Sequence, residues 1–122
     1  MIDKQKITLD YENLRKVQYT ELLPLEKVLE LEQAKEDIIS GYLSKIVKIN
    51  EENDKYTLDT NNTFNLSDLL DEFTKTFGNI NFIEKNNYNG HLSIDIACQY
   101  GMIGLSYQGN TFKYSVTVFW DI

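Results

Sequence analysis

From Ile80 to Ile122 apolar and small polar residues alternate almost without interruption, the period-two pattern of half-buried antiparallel strands. The pattern predicts strands near Ile80–Glu84, His91–Gln99, Ile103–Gln108 and Thr111–Trp120, joined as a meander. Turns are expected at Asn86–Gly90, Gly101 and Gln108-Gly109-Asn110, where residues that tolerate unusual backbone angles collect. Leu92, Ile94, Ile96, Cys98 and Tyr100 share one side, and Phe112, Tyr114, Val116, Val118 and Trp120 share one side of theirs. The reverse face carries Ser93, Asp95, Ala97, Gln99, Ser106, Lys113, Ser115 and Thr117. One dry and one mildly polar face is the usual antiparallel arrangement, the polar one being solvated, covered by a helix or offered to a partner.

Upstream the period changes to that of helices. Leu66, Leu69, Leu70, Phe73 and Phe77 form one apolar stripe, with Asn65 or Ser67 as cap, Phe64 placed to staple onto Leu69, and Gly78 as stop. An earlier helix starts at the only proline, Pro24, with Thr20 and Glu21 upstream as capping groups. Leu25, Val28, Leu29, Ile38 and Ile39 mark its buried side, and it should end near Ser40-Gly41. Residues 42–58 read in two ways. The alternation of Leu43, Lys45, Val47 and Ile49, a turn at Asn50–Asp54 and a return at Tyr56-Thr57-Leu58 favour a hairpin. Tyr42, Leu43, Ile46 and Val47 also continue the helical stripe, so a single helix from Pro24 to Asn50 competes. Lys6–Leu9 reads as a short strand or an irregular lead-in. The fold class expected is α+β: residues 1–122 as one domain, two helices packed on an antiparallel sheet with a C-terminal β-meander.

Composition changes this picture only in its charge. At 42% hydrophobic and 25% charged residues the chain has ordinary globular usage. No apolar run is long enough to cross a membrane, the N-terminus has no secretory pattern, and one cysteine fits a reducing compartment; a cytoplasmic protein is expected. Eleven lysines against one arginine, with abundant Asn and Ile, point to an AT-rich bacterial or phage genome. The net charge of −7 is unevenly spread: Glu21–Asp37 holds six acids against two lysines, and Glu51–Glu72 seven against Lys55. Such a surface repels nucleic-acid phosphates and anionic membranes, and accelerates encounter with a basic protein. Net charge also serves solubility, which needs no partner at all.

Candidate chemistry is sparse. His91 stands alone, with no nucleophile or orienting acid marked beside it. Cys98 sits among alternating apolar positions and reads as core. One Cys and one His do not make a zinc site, and the Asp/Asn-rich stretch from Asp54 to Leu70 lacks the glycine and final glutamate of a calcium loop. Gly101-Met102-Ile103-Gly104 precedes a strand, not the helix N-terminus that phosphate binding uses. Crowded carboxylates at Glu51, Glu52 and Asp54 remain the one enzymatic option, and solvated turn acids are the plainer reading. The expectation is therefore no catalysis, no metal and no cofactor. Tyrosine is the residue type that stands out: eight in the chain, with Tyr11, Tyr19, Tyr56 and Tyr88 in loops or near acids, where aromatic side chains anchor interfaces.

The run from Leu66–Phe77 through Gly78-Asn79-Ile80, then Gly90-His91-Leu92-Ser93-Ile94-Asp95-Ile96 and the closing strands, resembles bacterial toxin-immunity proteins of the WapI type over about half the chain. The resemblance implies a small cytosolic inhibitor that binds and blocks a toxin domain. Taken with the charge, it makes a stoichiometric inhibitor of a basic toxin such as a nuclease the leading expectation. Glu30, Glu36, Asp37, Glu51, Glu52 and Asp54 are its expected partner-binding acids, with Tyr56 and Tyr88 as anchors. The alternatives are a phage-encoded inhibitor of a host defence nuclease that mimics nucleic acid, and an acidic secretion chaperone.

Overall fold

The computed structural model describes residues 2–17 and 21–122. Among these residues three helices, α1 (Lys4–Val17), α2 (Leu25–Gly41) and α3 (Leu66–Phe77), accompany two antiparallel sheets. Strands β1 (Ile46–Asn50), β2 (Lys55–Leu58) and β3 (Thr63–Asn65) form the smaller sheet in the order β1-β2-β3. Strands β4 (Ile80–Tyr88), β5 (His91–Cys98), β6 (Gly101–Gln108) and β7 (Thr111–Val118) form the larger one in sequential order. The chain is α+β with a C-terminal meander, as its periodicity requires.

The meander is tighter than the turn residues led us to expect. Each hairpin has a two-residue loop: Asn89-Gly90, Gln99-Tyr100 and Gly109-Asn110. Asn89 and Gly90 both hold positive φ (52° and 78°), the mirror-image turn whose twist matches flanking strands. β4 consequently runs to Tyr88 where the sequence pattern placed a turn from Asn86, and Gly101 opens β6 where it placed another. The side of β5 and β6 carrying Leu92, Ile94, Ile96, Cys98, Ile103 and Leu105 is buried. On β7 only Val116 is fully buried and Tyr114, expected in the core, is 39% exposed.

α3 supplies the other wall. Leu66, Leu69, Phe73 and Phe77 are buried, and Phe73 and Phe77 stack with ring centroids 4.6 Å apart. Complete burial of such side chains contributes about 1.5–3 kcal/mol each. Asn65 caps the helix, its own N–H donating to the Asp68 carboxylate at 2.9 Å in a reciprocal capping box. α2 buries Val28, Leu31 and Ile38. α2 ends at Gly41, where the sequence placed its end, with Gly41 itself still helical: the Tyr42 N–H closes the last turn on the Ile38 carbonyl at 3.0 Å. Pro24 begins the helix without a side-chain cap, so Glu21 does not cap it; Thr20 lies outside the described residues, as does Tyr19.

Residues 46–58 form the hairpin and not a continued helix, but Leu43 and Lys45, expected in its first strand, belong to a 3-10 turn, Leu43–Lys45, that precedes it. A register shift between Ile46 and Lys48 lets both Ile46 and Ile49 face the core, a spacing strict alternation forbids, and leaves Val47 50% exposed. β3 adds a third strand through Tyr56↔Phe64 that the sequence pattern did not mark. Lys6–Leu9 is the clearest departure: it lies inside α1, a helix begun by Asp3, whose carboxylate accepts the Lys6 N–H at 3.1 Å. Its inward residues are few, chiefly Ile7 and Tyr11, so no apolar stripe announces it. Tyr11 holds it in place, its hydroxyl donating to the Leu23 carbonyl at 2.8 Å and its ring 6.3 Å from Trp120.

The strand residues beyond Val118 leave the sheet. The Leu23 N–H donates to the Trp120 carbonyl (2.7 Å), the Ile122 N–H to Glu21 (3.1 Å), and the Trp120 indole to the Glu32 carboxylate (3.0 Å). The C-terminal tail thus straps the start of α2. α2 and β1 both touch β7, so helices and small sheet lie on one side of the meander.

Candidate protein-binding surface

Two surfaces of the folded chain bear chemistry. The first is built at β4. Asp54 adopts a left-handed conformation (φ 52°) at the end of the turn Glu51–Asn53, which directs the turn back over the sheet. The Lys85 ammonium donates to the Asp54 carboxylate, and the Asn87 amide donates to the Glu51 carboxylate. Lys85 and Asn87 lie two apart on one face of β4, so the pair clamps the acidic turn against the middle and far end of that strand. Tyr88, the next residue, points to the opposite face and is 78% exposed.

Of the expected partner-binding residues, Glu51 and Asp54 are therefore brought against one face of β4, Glu52 lies in the same turn, and Tyr88 is exposed on the strand's opposite face. Glu30, Glu36 and Asp37 are not part of that cluster. They sit on α2, which packs on α1, α3 and β7, the edge opposite β4. Glu30 lies 3.9 Å from Lys27, and Asp37 accepts from Gln33 at 2.9 Å, both on the helix's own surface. The residues that sequence reasoning missed are Lys85 and Asn87, because the strand was expected to end at Glu84. The Asn89-Gly90 dipeptide, a strong hairpin signal in its own right, would have extended it.

Tyr56 requires a correction. It is completely buried, its ring packed edge-on to Phe64 with centroids 5.1 Å apart, so it offers nothing to a partner. Its hydroxyl is enclosed and has no hydrogen-bond partner among the described residues. Burial, with the Asp54 charge adding, pushes its ionisation well above the ordinary tyrosine range. Two results are expected of Tyr56→Phe. Removing an unpaired buried hydroxyl should raise stability by about 1–2 kcal/mol at neutral pH. In the unfolded chain the phenol ionises near about pH 10, whereas in the fold it keeps its proton. Above that pH the unfolded state binds fewer protons than the folded one, so stability falls as pH rises. Urea unfolding at neutral and alkaline pH should show the variant's advantage widening; equal alkaline losses in both proteins would refute the assignment. Tyr11 is likewise in the core, which leaves Tyr88 as the exposed member of the tyrosines singled out that the structure describes.

The second surface is the polar face of the meander, which no helix covers. Strand register sets its rows: Phe82, Ala97, Met102 and Thr117; Glu84, Asp95, Gly104 and Ser115; Asn86, Ser93, Ser106 and Lys113; Tyr88, His91, Gln108 and Thr111. A shallow depression of about 420 Å³ lies across its middle, lined by His91, Ser93, Asp95, Ser106, Lys113 and Ser115 among others. His91 Nε2 lies 2.7 Å from Ser106 Oγ, a pairing invisible in sequence because fifteen residues separate them. The contact has the reach of a base and a nucleophile. Ser106 and Lys113 are a hydrogen-bonded pair of the β6–β7 ladder, which engages the Ser106 N–H. Cys98 is buried and burial pushes its thiol up, keeping it protonated and unreactive at neutral pH.

Among the described residues no three His, Cys, Asp or Glu side chains gather as a metal set, and no helix is long and apolar enough to cross a membrane. No protein-family model, curated protein or solved structure matches the chain.

Proposed function

We propose that this chain is a non-catalytic binding protein that inhibits a basic protein partner stoichiometrically, in the manner of a cytosolic toxin-immunity protein. The observation that carries the reading is the clamped acidic turn: Lys85 and Asn87 hold Glu51 and Asp54 on one face of β4, and Tyr88 is exposed on the other. Charges already held in place cost less entropy to engage than charges on a free loop. Around them Glu52 and Glu84 are exposed, and the chain as a whole carries −7, so a positively charged surface is steered toward this strand. Tyr88 supplies the large, partly apolar contact that charge alone lacks.

The test is capture with the intact chain from a lysate of the organism that makes it, washed at low and at high salt. One basic protein recovered at near-equal stoichiometry and released by salt is expected. Recovery of the chain bound only to itself, or of a small molecule, would overturn the reading.

A further inference from the structure

We propose that the free edge of β4 is the docking site itself, and that the partner enters as an extended segment forming a fifth strand of the sheet. This deepens the binding reading above and rests on it. The occupant we infer is a strand that alternates basic residues with apolar or aromatic ones.

Among the described residues β4 pairs only with β5, and all nine of its residues are exposed. The two-residue loop Asn89-Gly90 makes Tyr88 and His91 a hydrogen-bonded pair; alternation then gives Asn86, Glu84 and Phe82 to the β5 ladder. The N–H and C=O groups of Ile83, Lys85 and Asn87 consequently point away from the sheet, an open row of donors and acceptors. Natural edges are usually blunted by charge, proline or cover. Here the edge carries Ile80, Phe82 and Ile83 at 38%, 47% and 41% exposure, and its one lysine is drawn aside by Asp54. The opposite edge, β7, is in contact with α2 and β1.

The two sides of an added strand would meet different chemistry. On the side of Ile83, Lys85 and Asn87 stand Glu51 and Asp54, which suit lysine or arginine. On the other side Phe82 and Tyr88 stand toward the two ends and suit apolar or aromatic side chains, with Glu84 and Asn86 between them. A second copy of this chain fits less well. Each copy carries −7, and a two-fold axis through the middle of β4 sets Glu84 against Glu84 or Lys85 against Lys85.

The probe is a blocked ten-residue peptide alternating lysine and valine, added to the intact isotope-labelled chain at low salt. The control peptide has the same composition with its lysines and valines in separate blocks. The amides of Ile83, Lys85 and Asn87 should exchange rapidly in the free protein and become protected by the alternating peptide. The block peptide, and the alternating peptide on Ile83→Pro, should each bind at least about tenfold more weakly, the loss expected from one or two main-chain hydrogen bonds. Exchange on the unmodified chain decides alone if the proline variant does not fold. Peptide binding with protection elsewhere, or equal binding of both peptides, overturns the edge assignment and leaves an acidic binding surface standing. Protection of the three amides without peptide, rising with protein concentration, overturns it in favour of self-pairing. Binding of neither peptide overturns both the edge and the acidic surface.

Discussion

Valine in place of Gly101 should leave the chain largely unfolded, and alanine there should already cost about 3 kcal/mol. Gly101 opens β6 directly under α3. A Cβ at this position would lie 2.7 Å from Phe77 Cε1, closer still to Cδ1, and 2.8 Å from the Thr117 carbonyl oxygen. None of these neighbours has room to yield. Phe77 is completely buried against Phe73, and the β7 backbone is held by the Gly101↔Val118 ladder. Domains of this size are stable by about 5–15 kcal/mol, so the added branch of valine takes most of the margin. Gly41→Ala is the control: it stands in a helix with nothing within 4 Å of the added atom, and should stabilise by up to about 1 kcal/mol. Urea midpoints for the three variants test this directly. A Gly101→Ala midpoint equal to that of the unmodified chain would mean that α3 can slide on the sheet.

Reversing the charges at Glu51, Glu52 and Asp54 to lysine should slow association with the basic partner by about tenfold or more at low salt. The effect should shrink as salt is added, since exposed charges are screened beyond about 8–10 Å near physiological ionic strength. The structure adds a complication absent from charge counting. Asp54 and Glu51 also fasten the turn to Lys85 and Asn87, so reversal both inverts the field and frees the turn. Glu51→Gln with Asp54→Asn separates the two, because each amide retains an oxygen to accept from its partner while losing its charge. A slowing that appears in the lysine variants and is partial in the amide variants belongs to charge. The same reversal at Glu30, Glu36 and Asp37 should slow association less, because no anchor comparable to the clamped turn and Tyr88 is placed with them on α2. Equal slowing from both sets, measured by stopped-flow mixing, would assign steering to the whole surface and remove the turn as a site.

The residues that sequence reasoning placed well are those whose own neighbours in the chain decide their structure. Asn65 and the stripe from Leu66 to Phe77 specify α3 locally, since cap and apolar face both act within a few turns. Alternation from Leu92 to Cys98 likewise specifies a half-buried strand and which of its sides is dry. Both belong to the part of the chain that fixes the α+β class. The hairpin at 46–58 was legible in outline, yet its bulge was not, because the shift that turns Ile46 and Ile49 inward is a property of the pairing with β2.

What only the tertiary structure decided depends on contacts between residues far apart in the chain. α1 carries too few apolar residues to declare itself, and is held by one hydroxyl on Leu23 and one ring near Trp120. Tyr56 follows a run of turn acids and looks exposed, but pairing of β2 with β3 sets it on Phe64 and seals it in the core. The meeting of His91 with Ser106 follows from strand register, and that of Glu51 with Asn87 from the way the acidic turn packs on β4. The sequence by itself determined α2, α3, the strands of the meander, the dry side of β5 and the excess of negative charge. Packing decided which acids stand together and which edge stays open, because burial and pairing are settled by partners that local periodicity does not encode.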